Sequence, residues 1–275
     1  MKAAVLGSPI AHSLSPVLHR AAYQALGLAG WSYQAIECDE ARLPGLLAGC
    51  GPGWAGLSLT MPLKRAVLPL LDRAGPLVAG VGAANTVVFA GGQRHGHNTD
   101  VPGMVAALAE AGANGASEVL VAGAGATACS ALAAVRDLGG QQVTVAARDA
   151  GRAGDLLAAA ERLGIAVRLA AFDNPGMPAP DLLISTVPAG AADSYAERLA
   201  GGSLRPGLVF DVVYQPWPTA LAAAAQQAGA AVVGGFALLL HQAAGQVALM
   251  TGQPAPVEAM RAAGLAALAG RAGAR

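Results

Sequence analysis

Short runs rich in Val, Leu and Ile alternate along this chain with longer alanine-rich stretches whose apolar positions recur at helical spacing, and they do so in two successive series. That alternation implies βαβ units and therefore an α/β fold. In the first series residues 2–7 read as a strand, 15–26 as a helix, 33–38 as a strand, 42–48 as a helix and 55–60 as a strand, and the alternation is expected to continue without interruption to about Gly103. A new sheet starts at residues 118–122, followed by a helix to Leu138, a strand at 142–147 and a helix at 151–163. Strands near 167–170, 182–186, 208–213 and 231–233 would complete it. After Gly235 the character changes. Residues 236–250 and 257–268 read as two helices with no strand between them, so they cannot extend a parallel sheet and are expected to pack back on the first domain. The expected division is 1–103 with 236–275 as one domain and 104–235 as the other.

Composition narrows the class. The 275 residues are 54% hydrophobic but only 12% charged, against about 25% in ordinary soluble domains. A membrane protein is the first alternative that such values raise, yet the excess is mostly alanine, and runs such as 236–240 fall far short of the roughly 18 residues that span a bilayer. The N-terminus lacks the pattern of a signal peptide, so a cytoplasmic protein is expected. Acidic and basic residues balance at 17 each with no basic block, which argues against nucleic acid as a partner. Cys38, Cys50 and Cys129 form no C-x-x-C pair and read as free thiols; the five scattered histidines suggest no metal site.

The strand at 119–122 runs into Gly123-Ala124-Gly125-Ala126-Thr127-Ala128, which opens a helix. Gly123 permits a tight turn, Gly125 lets the backbone approach a pyrophosphate, and Ala128 allows the helix to pack closely on the strand. The helix N-terminus would present free N–H groups to phosphate. A bland tight turn needs glycines too, but strand, loop, helix and second strand arrive in the order a dinucleotide site requires. At the end of the second strand stand Ala147, Arg148, Asp149 and Arg152. The arginines suit a 2′-phosphate and hence NADP(H); Asp149 suits a free 2′-hydroxyl and keeps NAD(H) open.

Four polar motifs fall at strand ends or turns of the first series: residues 7–16 with His12, Ser13 and Ser15; 56–64 with Ser58, Thr60 and Lys64; 82–86 with Asn85; and 96–103 with Asn98, Thr99 and Asp100. Ser15-Pro16 reads as a helix N-cap followed by proline at the first helical position. Each motif taken singly is also an ordinary turn. Lys64 stands apart, because the chain contains only one other lysine, Lys2, and otherwise uses arginine. Together the motifs offer one cation, one carboxylate and several hydroxyls and amides, the inventory needed to hold a small polyhydroxylated acid and move a proton. The histidines have no evident acidic partner and read as structural.

In their order these motifs resemble the shikimate dehydrogenase family over nearly the whole chain, from Gly7 to Gln246. The first resembles G-x-P-I-x-H-S-x-S-P-x-x-H, the second G-x-N-V-T-x-P-x-K, the third G-A-x-N-T and the fourth G-x-N-T-D-x-x-G. Residues 185–190 resemble N-A-T-P-x-G, 211–219 match D-x-x-Y-x-P-x-x-T, and Gly235 with Gln242 falls in a G-x-x-M-L-x-x-Q-A segment. The resemblance implies a two-domain α/β fold, with an N-terminal substrate domain and a Rossmann-like domain for NADP(H). It implies reversible reduction of 3-dehydroshikimate to shikimate, a step of aromatic amino-acid biosynthesis, with Lys64 and Asp100 as the catalytic pair. Ser13, Ser15 and Tyr214 would contact the substrate carboxylate, and Ser58, Thr60, Asn85 and Gln242 its body and hydroxyls. The cofactor set would be Gly123 to Thr127, Ala147, Arg148, Asp149, Arg152, Thr186, Val187, Pro188, Val212 and Gly235.

Several positions depart from the family pattern: Ser58 and Ser185 replace asparagine, Arg20 stands where asparagine is common, Ala126 replaces a glycine, and Ala147 and Asp149 flank Arg148. They leave Lys64 and Asp100 intact and bear on ribose recognition. An NAD-preferring quinate or quinate/shikimate dehydrogenase and a non-catalytic binding homologue are the alternatives. The domains are expected to close on their ligands about hinges near Gly103 and Gly235. Helical hydrophobicity leaves a homodimer open.

Overall fold

The computed structural model describes residues 1–272 apart from 114, 175 and 178. The chain forms two compact units, Met1–Thr99 with Leu239–Arg275, and Asp100–Leu238.

The first unit contains β1 (Lys2–Gly7), α1 (Ser15–Ala25), β2 (Ser32–Glu37), α2 (Leu43–Ala48), β3 (Trp54–Leu59), α3 (Leu63–Ala66), β4 (Arg73–Ala74), α4 (Pro76–Val81), β5 (Thr86–Ala90) and β6 (Gln93–His97). Its sheet runs β2-β1-β3-β5-β6-β4, with β1 paired in parallel to β2 and β3. The strand period of two sends alternate residues of β1 to opposite faces. Ala4 and Leu6 join Leu43, Leu57, Leu63 and Val87, while Ala3 and Val5 join Tyr23, Tyr33 and Met250.

The expected βα alternation holds as far as β5 and fails between β5 and β6, which follow each other with no helix between them. β5 pairs antiparallel with both β3 and β6. Gly91 and Gly92 lie between β5 and β6 at φ 60° and 75°, and two successive left-handed residues are what a tight hairpin whose twist matches its strands requires. Motifs expected as turns therefore lie on the ends of regular elements: Thr86 opens β5, His97 closes β6 and Asp100 opens a helix.

The second unit comprises α5 (Asp100–Glu110), β7 (Glu118–Ala122), α6 (Ala126–Asp137), β8 (Gln142–Ala147), α7 (Gly154–Leu163), β9 (Val167–Ala171), β10 (Leu182–Ser185), α8 (Asp193–Ala200), β11 (Leu208–Asp211), α9 (Ala220–Gln227) and β12 (Ala231–Gly234). Its strands are all parallel, in the order β12-β11-β10-β7-β8-β9. The chain builds outward from β7 to β9 and then returns to the other side of β7. That doubly wound order places a ligand crevice at the carboxyl ends of β7 and β10, where the direction reverses. Helix α6 is buried from Ala128 to Val135, and its small side chains let it lie close to the sheet and α5.

Two helices end the chain, α10 (Gly235–Thr251) and α11 (Val257–Ala272). The boundary between the units falls inside α10, and its later part supplies Met250 to the first unit's core while α11 packs on α1. Among the described residues no helix is long and apolar enough to cross a membrane.

Candidate active site

In the first unit, the loop after β1 brings up Ser13 and Ser15. The helix cap differs from the expected one. Leu14, with φ −90° and ψ −7°, occupies the N-cap position, so Ser15 is already helical and its N–H is an unmet donor that Ser13 Oγ accepts at 3.2 Å. Ser15 itself is buried.

Thr60 is half-buried just past β3, and Lys64 is half-buried in α3. The Lys64 carbonyl accepts from Ala84 N at 2.8 Å, which ties α3 to the segment leading into Asn85. That segment turns after α4 at Gly82, whose φ of 71° suits glycine. Asn85 is fully buried: its Oδ1 accepts from Thr99 N at 2.8 Å, and its Nδ2 donates to Thr99 Oγ1 at 2.9 Å and, at a long 3.4 Å, to Gln242 Oε1. Asn98, also buried, donates to the Ala83 carbonyl at 3.0 Å. Ser13, Ser15, Ser58, Thr60, Lys64, Asn85 and Gln242 thus share the first unit, whereas Asp100, 4% exposed, is the first residue of the second, which also holds Tyr214.

In the second unit, Gly123 leaves β7 at φ 113°, and a Cβ there would run into the Thr186 hydroxyl. Thr186 stands past β10, its Oγ1 donating back to the Ala122 carbonyl at 2.9 Å, so the loop crosses the switch point of the sheet with no room for a side chain. Gly125 then caps α6 with no side chain of its own to bond the first-turn N–H groups, and a Cβ at Gly125 would meet only open space. Ala124, Ala126 and Thr127 are half-buried around this backbone. A pyrophosphate fits that cradle of N–H donors.

At the end of β8, Ala147 is buried and Arg148 is exposed beside a hollow lined by residues 171–174. Asp149 is occupied locally, since its Oδ1 accepts from Gly151 N at 2.9 Å and so caps the single 3-10 turn that follows. The Arg152 side chain lies outside the described residues. Val187 is buried, Pro188 exposed and Val212 half-buried. Gly235 is held by packing, because a Cβ there would overlap the Val212 carbonyl. Asp211 and Thr219, the ends of the motif that carries Tyr214, bond each other at 2.7 Å, and Thr219 Oγ1 also accepts from Ala222 N to cap α9. Burial raises the Asp211 carboxyl, against the lowering effect of the Thr219 bond. The motif's spacing was visible in sequence; that its two ends clasp each other was not.

Reading the sequence alone passes over Tyr33, Thr86 and Gln246 as site residues, although all three are buried beside Asn85 and Ser58 in one hydrogen-bonded group. Only the i, i+4 spacing of Gln242 and Gln246 on α10 signalled that the second glutamine shares a helix face with the first. Among the described residues no cluster suited to a metal ion occurs.

Residues 5–87 match the model of the shikimate dehydrogenase substrate binding domain, and 235–263 that of the shikimate 5'-dehydrogenase C-terminal domain. The NADP(+) shikimate dehydrogenase of Geobacter metallireducens is 35% identical over 274 residues, covering 96% of each chain. The crystal structure of Mycobacterium tuberculosis shikimate dehydrogenase superposes with a TM-score of 0.87 at 46% identity, covering 96% of this chain and 99% of that one. Shikimate 5-dehydrogenase from Thermus thermophilus, solved with NADP(H) and shikimate, gives 0.84 at 34% identity over 97% of this chain and 99% of the other.

Proposed function

We propose, from the premise that this chain belongs to the shikimate dehydrogenase family, that it catalyses the reversible NADPH-dependent reduction of 3-dehydroshikimate to shikimate. The observation that carries this is chain-long similarity to an enzyme solved with both ligands, joined to a first unit that still holds Lys64 and its polar neighbours. The first unit is the substrate-binding part and the second the NADP(H)-binding part.

NADP(H), when bound, supplies or accepts the hydride at the reacting carbon. Everything else falls to side chains and backbone. Reduction leaves negative charge growing on the former ketone oxygen, and the Lys64 ammonium both offsets that charge and delivers a proton from Nζ; in the reverse direction the Nζ amine takes the hydroxyl proton. Asp100 holds the substrate hydroxyl as acceptor. Ser13, Ser15 and Tyr214 take the carboxylate, and Thr60, Asn85 and Gln242 the ring hydroxyls. On the cofactor side the first turn of α6 would hold the pyrophosphate, and Arg148 would pair with the 2′-phosphate. Asp149 spends part of one carboxylate oxygen on capping its own turn and keeps acceptor capacity, so it is the residue that competes with Arg148 in favour of a free 2′-hydroxyl.

A spectrophotometric assay of the purified protein with shikimate, offering NADP and NAD separately, tests the reading. NADP is expected to give the higher kcat/KM; a higher value with NAD removes the assignment of Arg148, and faster turnover of quinate than of shikimate removes the substrate. Lys64→Met should lower kcat by about 100-fold or more, the scale of general acid–base catalysis, with a much smaller change in shikimate affinity. An unchanged kcat would take Lys64 out of its role.

A further inference from the structure

Gln246 lies one helical turn beyond Gln242 on α10 and is 1% exposed. Its carboxamide makes every hydrogen bond it is able to make. Oε1 accepts from Ser58 Oγ at 2.8 Å and meets His19 Nε2 at 3.3 Å; Nε2 donates to the Asn85 carbonyl at 3.2 Å and to Thr86 Oγ1 at 3.1 Å. Because a backbone carbonyl can only accept, the amide has one allowed orientation, and the protons around it follow in turn. His19, held neutral by burial, carries its proton on Nε2. Ser58 donates to Gln246 and therefore accepts from the Tyr33 hydroxyl, at 2.6 Å. Thr86 accepts from Gln246 and therefore donates to Asn85 Oδ1, at 2.9 Å. With Thr99 N also donating to Oδ1, the Asn85 amide has its oxygen turned to the network and its Nδ2 turned to Thr99 Oγ1 and Gln242.

We infer that Gln246 is a positioning residue for the reaction: through Thr86 and the Asn85 backbone it fixes the Asn85 carboxamide so that Nδ2 is presented to a substrate hydroxyl as donor. The 3.4 Å contact from Nδ2 to Gln242 is the weak member of the set and the one that a hydroxyl can exchange with. Ser58, with its proton spent on Gln246, serves the network rather than the substrate. The inference rests on the dehydrogenase reading of the first unit.

Gln246→Met keeps length and shape while deleting all four bonds. Taking the carboxamide donor away from Thr86 Oγ1 and from the Asn85 carbonyl, which keeps its bond from Leu59 N at 2.7 Å, and the acceptor away from Ser58 and His19, is expected to raise the shikimate KM by about tenfold or more, with the NADP KM unchanged and kcat less affected. Thr86→Val, which removes the relay to Asn85 Oδ1 alone and carries the test if Gln246→Met does not fold, should raise the shikimate KM by about fivefold. An unchanged shikimate KM, or equal losses toward shikimate and NADP, overturns the role of Gln246. No turnover by the unsubstituted protein would instead overturn the enzymatic reading itself.

Discussion

Stacked on the Tyr33 ring at a centroid distance of 3.9 Å and fully buried, His19 has its pKa lowered to about 3, chiefly by desolvation and against the raising effect of its bond to Gln246. The tyrosines beside it, Tyr23 and Tyr33, are pushed up by burial and stay uncharged, so neither supplies a negative charge to favour an imidazolium. The unfolded chain takes up a proton on this residue near pH 6.5, which the native chain refuses until about pH 3. Stability contributed by neutral His19 is therefore present above pH 6.5 and lost as pH falls, by about 1.4 kcal/mol per unit within that window. Tm should drop between pH 7 and 5, and His19→Phe, which keeps the stacked ring and removes the titrating group, should show a shallower drop. Equal slopes for the two proteins would show that His19 does not set this dependence. Legibility differs sharply among residues. Lys64 was conspicuous as one of two lysines, whereas Gln246 looked like any glutamine on an alanine-rich helix, because a buried hydrogen-bond hub has no composition of its own.

At the scale of elements, the parallel strands were readable because a strand buried on both faces is a near-continuous apolar run; β1 and β8 occupy the residues expected of them. The β5–β6 hairpin was missed although its signal, Gly91-Gly92 between two strand-like runs, was present, since Gly-Gly is unremarkable in a chain with 37 glycines. The cap of α1 was misplaced by one residue for a comparable reason: a serine before proline fits the N-cap pattern, and only the backbone angles of Leu14 decide where the helix begins. Gly123 shows what such a residue does within an element. Gly123→Ala would place a side chain at φ 113° and against Thr186, a combination expected to cost about 1–3 kcal/mol and to weaken NADP binding by displacing the loop. Thermal unfolding and an NADP titration check this; a variant with unchanged Tm and unchanged affinity would mean that the loop relaxes freely.

For the whole molecule, two units with separate hydrophobic clusters explain how a chain with 12% charge and a mean hydropathy of +0.48 folds without a membrane-spanning helix among its described residues: the alanine excess lies in helices such as α6 that cover sheets closely. A ligand that binds only the folded chain stabilises it by about 2.7 kcal/mol at 100 times its Kd, or about 5–10 °C in Tm for a protein of this size. NADP at a given concentration should therefore raise Tm more than NAD does, and a larger shift with NAD would reverse the cofactor assignment. The sequence by itself determined the α/β class, the restart of the chain at a second sheet, and the residue types gathered at strand ends, because periodicity and turn chemistry are local properties. Only the tertiary structure decided which polar groups meet. Asn85, Ser58, Thr86 and Gln246 are separated by as many as 188 residues, and the direction of each hydrogen bond between them depends on all the others, so no local pattern could record it.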